Sequence, residues 1–261
     1  MRSPPPRIDW RSRAPSRDVL LNGTALTYTA IAASANLIGA AAVVGHSRWS
    51  VRALENMVAL SAGFMISVAL LDLTPDAIRT HGESAALVIL IGYLLVHLTQ
   101  HTLAPHFHFG EEVHHVSKMV SFSALAGLML HTFVDGVAIA SGFGVSDALG
   151  VLVFFAILLH KLPEGLAISS LFLASGESRK AALAASGALA VSSLLGALLT
   201  LQVPMLGQYG LPLAAGVTLY VGASNLVPEF QGKQGWRLPI SFFLGCALYF
   251  AARQIVGTEL R

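Results

Sequence analysis

Charge is scarce in this chain. Only 11% of its 261 residues are Asp, Glu, Lys or Arg, against 54% apolar residues, and the mean hydropathy is +0.68. Soluble domains carry about 25% charged residues, so this composition excludes one and describes a multi-pass membrane protein. Cysteine is almost absent. Cys246 stands alone, which excludes an internal disulfide; it falls in the last apolar run and reads as lipid-facing or packed. No GxxxxGK[ST] phosphate loop occurs, so nothing points to ATP. The zinc-protease pattern HExxH is missing too: the nearest segment runs His160, Lys161, Leu162, Pro163, Glu164. The net charge of +2 is confined to loops and tails, and nothing suggests a nucleic-acid partner. Met1 to Asp18 is Pro- and Arg-rich without an apolar signal-peptide core, so residues 1–22 are expected to form a disordered tail ahead of a transmembrane domain over 23–261.

Apolar runs long enough to cross about 30 Å of hydrocarbon lie near 25–45, 53–76, 84–101, 117–142, 147–173, 180–201, 209–228 and 237–256. The expected fold is therefore all-α, with eight transmembrane helices. Arg48, Arg52, Lys118, Arg179, Lys180, Lys233 and Arg237 fall in odd-numbered loops, and Arg79 alone in an even-numbered one. The positive-inside rule then puts the odd loops in the cytoplasm and both termini outside. The tail's Arg2, Arg7, Arg11, Arg13 and Arg17 argue the other way.

Two internal repeats stand out. His131 and Asp135, followed by Gly136, match His160 and Glu164, followed by Gly165. A spacing of four puts each histidine and its carboxylate on one helix face. Ionisable groups at that depth usually mark an ion pathway or a buried site. Two imidazoles and two carboxylates suit one divalent cation; for one pair alone, a histidine hydrogen-bonded to an acid explains as much. Pro163 removes a helical hydrogen bond and frees the carbonyl of Leu159. The second repeat is Asp72, Pro75 and Asp76 in helix two against Asn225, Pro228 and Glu229 in helix seven. These helices run in opposite directions, as in inverted-repeat transporters, which suggests halves 1–3 and 6–8 around helices 4 and 5, a 3+2+3 arrangement. Read alone, each such segment is also an ordinary helix-end signal.

The paired motifs, the eight spans and a histidine-bearing loop after helix three resemble the ZIP (Zrt/Irt-like) family of divalent metal transporters. The resemblance covers essentially the whole transmembrane region. It implies transport toward the cytoplasm without ATP, with Zn²⁺ as the leading substrate and Fe²⁺, Mn²⁺, Cd²⁺ or Co²⁺ also accommodated; the metal is substrate, not cofactor. It implies ligands at His131, Asp135, His160 and Glu164, with Met65 as an additional soft ligand. Asp72, Asp76, Asn225 and Glu229 fall where the family has polar residues along its path. Three positions of the family's second metal carry other residues here, namely Thr132, Lys161 and Ser193. One transported metal is therefore expected, with the Lys161 ammonium standing in for the second. His106, His108, His114 and His115, in a cytoplasmic loop of about 102–116, are expected to capture or sense metal. The resemblance is compatible with a homodimer, and the compact loops suggest an inner or plasma membrane. The competing class is an intramembrane zinc-dependent hydrolase, which also buries His and acid residues; a third reading is a sensor that binds metal without flux.

Overall fold

The computed structural model describes residues 23–45, 51–102 and 118–259, so the tail and His106, His108, His114 and His115 lie outside the described residues. Eight helices make up what is described. They are α1 Thr24–Val44; α2, which runs Val51–Val68, through a π-helical turn Ala69–Leu73, to Thr74–His81; α3 Glu83–Thr102; α4 Lys118–Val145; α5 Asp147–Ala174; α6 Arg179–Gln202; α7, which runs Pro204–Tyr220, through a π-helical turn Val221–Leu226, to Pro228–Gln231; and α8 Arg237–Glu259. Seven are long and apolar enough to cross a membrane, and α3 adds a shorter apolar stretch, Glu83–Thr99. Serine caps start two of them: the Ser146 hydroxyl accepts from the Leu149 amide at 3.1 Å, and Ser178 from Ala181 at 3.1 Å.

The two proline segments do not end their helices, as the sequence suggested; both helices continue beyond them. Proline cannot donate the helical bond, and a π turn absorbs the defect. The Thr74 amide reaches back five residues to the Ala69 carbonyl, and the Val227 amide does the same to Gly222 at 3.2 Å. The resumed helices carry Asp76 and Glu229 in their first turns, where the helix dipole favours acids. Helix seven also begins earlier than expected, because Pro204 is well suited to a first turn.

Helix pairing follows an approximate two-fold exchange. α1 packs on α5 as α6 packs on α4; α2 packs on α8 as α7 packs on α3; α2 meets α5 as α7 meets α4. Exchanging α1 with α6, α2 with α7, α3 with α8 and α4 with α5 maps these pairs onto each other. Each exchange relates an odd-numbered helix to an even-numbered one, so successive spans give the two halves inverted topology.

Glycines show the same exchange at atomic scale. A Cβ on Gly63 would strike the Phe242 carbonyl and one on Gly245 the Leu60 carbonyl; one on Gly216 would strike Ile89 and one on Gly92 Leu213. Each position and its counterpart differ by 153 residues, as do Asp72 and Asn225, Pro75 and Pro228, Asp76 and Glu229. In the same way Gly136 lies against the Ser193 carbonyl and Gly196 against Phe133, while Gly165 lies against Asn36 and Gly39 against Leu162. Without a hydrophobic drive between helices in lipid, such close backbone approach supplies the packing.

Ion pairs tie the odd-numbered connections together. Lys118 meets Glu177 at 2.9 Å, Lys233 meets Glu55 at 2.9 Å, and Arg237 binds Glu55 and, at 2.9 Å, Asn56. At the opposite end Asp72 accepts from Tyr249 at 2.7 Å and pairs with Arg253 at 3.3 Å, and Arg79 pairs with Asp76 at 3.0 Å.

Gly136→Ala is expected to destabilise the protein by roughly 1–3 kcal/mol, since neither backbone can yield. Gly187→Ala, whose new Cβ would lie 4.0 Å from the flexible Leu37 side chain, should be neutral or better. Melting temperatures of the two variants in detergent check this contrast.

Candidate metal centre

The centre forms where α4 and α5 cross in the buried interior. The four-residue spacing places His131 and Asp135 on one face of α4, and His160 and Glu164 on one face of α5. The Gly136 and Gly165 approaches bring α6 and α1 against the outer sides of these helices. All four functional side chains are buried.

His131, Asp135 and His160 come together, with one ligand atom from each within 4.8 Å of the others. Among the described residues no other group of three or more His, Cys, Asp or Glu does so. One oxygen is the focus: Asp135 Oδ2 lies 3.5 Å from His131 Nε2 and 3.4 Å from His160 Nε2. The imidazole rings are 5.5 Å apart between centroids.

The orientation of His160 is informative. Its Nδ1 lies 3.0 Å from the Ala156 carbonyl, and a carbonyl only accepts, so Nδ1 carries the proton. In the neutral ring Nε2 therefore holds a lone pair, and that lone pair faces a carboxylate oxygen. Two electron pairs pointed at each other are poorly placed unless a cation lies between them. Fixing one imidazole nitrogen on a backbone carbonyl while freeing the other is how proteins prepare a histidine for a metal. His131 Nδ1 is buried without a hydrogen-bond partner.

Lys161 is wholly buried, and its ammonium bridges the two carboxylates, 2.7 Å from Asp135 Oδ2 and 3.1 Å from Glu164 Oε2. Glu164 therefore faces Lys161 rather than completing the triad, and its Oε1 is buried without a partner. Thr132 donates to the Met129 carbonyl at 3.1 Å, within its own helix. Ser193 Oγ is buried and unpartnered. Met65 is wholly buried in the main apolar cluster. Asp72 sits in the π turn of α2 and Asn225 in that of α7, with Asp76 and Glu229 just beyond.

Two residues at this centre escaped the sequence reading. The Leu159 carbonyl freed by Pro163 lies 2.9 Å from the Ser61 hydroxyl of α2, which is also within reach of Met57. The wholly buried Asn36 of α1, oriented so that its amide nitrogen faces acceptors, donates to the Lys161 carbonyl and, at 3.2 Å, to Glu164 Oε2. A carboxamide in the middle of an apolar span was the available signal.

The described residues thus form an all-helical polytopic membrane protein in whose core imidazoles and carboxylates converge. The sequence model of the ZIP zinc transporters matches residues 96–252, and the chain belongs to that family. It is 29% identical over 138 residues to zinc transporter ZIP13 of Pongo abelii, covering 50% of this chain and 42% of that one. It is 33% identical over 116 residues to zinc transporter SLC39A7 of Mus musculus, covering 40% and 24%. With zinc transporter zipt-7.2 of Caenorhabditis elegans it shares 25% identity over 120 residues, covering 43% and 26%. The matched stretch thus spans less than half the length of these relatives.

His131→Ala and His160→Ala should each weaken Zn²⁺ binding by the purified protein about tenfold or more, the usual scale for loss of a metal-site interaction. Calorimetric titration of the two variants in detergent measures this; wild-type affinity in both would place the metal elsewhere.

Proposed function

We propose that this chain carries a divalent transition metal across the bilayer, Zn²⁺ foremost, through one mononuclear site between α4 and α5. The observation that carries the proposal is the buried His131–Asp135–His160 triad, in which His160 turns Nδ1 to a backbone carbonyl and sets Nε2 3.4 Å from Asp135 Oδ2. Family membership supports transport, and the relatives named above are zinc transporters. The ligand set is too nitrogen-rich for Mg²⁺ or Ca²⁺ and accommodates Fe²⁺, Mn²⁺ and Cd²⁺ beside Zn²⁺.

In this reading Glu164 supplies the fourth ligand and Met65 an additional soft one. Two carboxylates and one ammonium leave the centre at −1, taking both histidines as neutral. One divalent cation brings it to +1, and a second would bring it to +3 in a medium of low dielectric. Lys161 thus takes the second cation's place, while Thr132 and Ser193 offer no charged ligand there. Repulsion between Lys161 and the arriving metal keeps binding reversible, as a transport site requires. Asp72 and Asp76 at one end, and Asn225 and Glu229 at the other, line the path. Movement is toward the cytoplasm, both termini are extracytoplasmic, and His106, His108, His114 and His115 receive the emerging ion. A homodimer in a plasma or inner membrane is the proposed setting.

Dye-loaded liposomes holding the wild-type protein should accumulate Zn²⁺, and liposomes holding His160→Ala should not. Tight zinc binding without wild-type uptake would overturn transport and favour a sensor or hydrolase. Replacing the tethered cation, as in Lys161→Glu, should raise the bound Zn²⁺ from one to two per chain by equilibrium dialysis. A ratio that stays at one would count against Lys161 as the second metal's stand-in.

A further inference from the structure

We propose that Asn36 of α1 is a positioning residue of the metal centre: its amide holds Glu164 Oε2 and so presents Oε1 to the cation. The inference rests on the mononuclear site proposed above and deepens it. Glu164 Oε2 receives two donors, Lys161 Nζ at 3.1 Å and the Asn36 amide at 3.2 Å. Oε1 is buried and receives none. A buried carboxylate with one oxygen saturated and the other bare is directional, because its uncompensated lone pairs lie on one side only. Lys161 alone does not impose this, since its ammonium is shared with Asp135. The Asn36 amide also donates to the Lys161 backbone carbonyl, which fixes the amide relative to α5.

Asn36 is itself held firmly. Its carbonyl accepts the Ser186 hydroxyl of α6 at 2.8 Å. It also lies against Gly165, where any side chain would collide with it. A run of bonds therefore passes from α6 through Asn36 to Glu164, then through Lys161 to Asp135. The pseudo-symmetric position separates this role from packing. Ser193 stands against Gly136 as Asn36 stands against Gly165, and its hydroxyl has no partner. Close approach at this position does not demand an amide; directing Glu164 does.

The test compares Asn36→Leu and Asn36→Ser, each in wild-type and Glu164→Ala backgrounds, by calorimetric titration of Zn²⁺ into the full-length protein in detergent. Loss of a hydrogen bond to a charged group corresponds to about a ten- to hundredfold weakening, expected for Asn36→Leu when Glu164 is present. With Glu164→Ala the same substitution should change affinity little, since its target is gone. In liposomes the KM for Zn²⁺ should rise while the maximal rate is largely kept. Equal weakening in both backgrounds, or wild-type affinity in Asn36→Leu, overturns the role of Asn36 while leaving the metal centre standing. If Asn36→Leu is not monodisperse, the smaller Asn36→Ser carries the same comparison. Absence of Zn²⁺ binding by the wild type would overturn the metal centre itself and this inference with it.

Discussion

A single ammonium without solvent contact governs the middle of this molecule. Two carboxylates facing each other across α4 and α5 would each lose several kcal/mol of solvation and repel as well. Lys161 lies between them, 2.7 Å from Asp135 and 3.1 Å from Glu164. The ammonium offsets both the repulsion and the lost solvation of the two acids. It also turns the α4–α5 crossing from a repulsive contact into an attractive one. Asp135 Oδ2 then serves two masters, the ammonium and the pair of imidazoles, so a cation that takes this oxygen competes directly with Lys161.

That arrangement needs helices closer than ordinary side chains allow. Each of the four main pairings uses a reciprocal pair of glycines against carbonyls. Hydroxyl bonds to an opposing backbone fasten one of these seams, Ser192 to Met129 at 2.6 Å, and tie others to it, Ser186 of α6 to Asn36 of α1 at 2.8 Å and Ser61 of α2 at 2.9 Å from the Leu159 carbonyl of α5. The last also answers the defect left by Pro163. In lipid an unsatisfied carbonyl is costly, so a proline beside these buried polar side chains is tolerable because α2 brings a hydroxyl to it. The site's geometry and the bundle's stability thus depend on the same few contacts.

What was legible in the chain follows from which forces act within one helix. Long apolar runs revealed the spans, and the four-residue spacing put His131 with Asp135 and His160 with Glu164, because both depend only on local geometry. The release of the Leu159 carbonyl by Pro163 was equally local. Its answer by Ser61 was not, since that depends on how α2 is rotated against α5. The same holds for Asn36, whose partners lie more than a hundred residues away in sequence. The segments at Pro75 and Pro228 read as helix ends because proline usually breaks a helix; the structure keeps both helices going with π turns, a solution with no distinct residue signature. Lys161 was expected near both acids, and the structure makes it a bridge between them.

The pseudo-symmetry gives the departures at the centre their meaning. With the exchange of halves, His131 answers to His160, Thr132 to Lys161, Asp135 to Glu164 and Ser193 to Asn36. The backbone obeys the exchange at the four reciprocal glycine seams, but the polar side chains do not. One half keeps a short carboxylate beside two hydroxyls. The other holds a longer carboxylate, an ammonium and an amide. A site built from equal halves would offer equivalent positions to two cations. Here one half supplies its own cation, and the amide holds one oxygen of the longer acid while the other stays bare. The two halves therefore present inequivalent donors to a cation held at the His131–Asp135–His160 group. The two mouths of an inverted-repeat protein are related by that axis, so breaking the symmetry at the centre makes the approaches from the two sides chemically unequal.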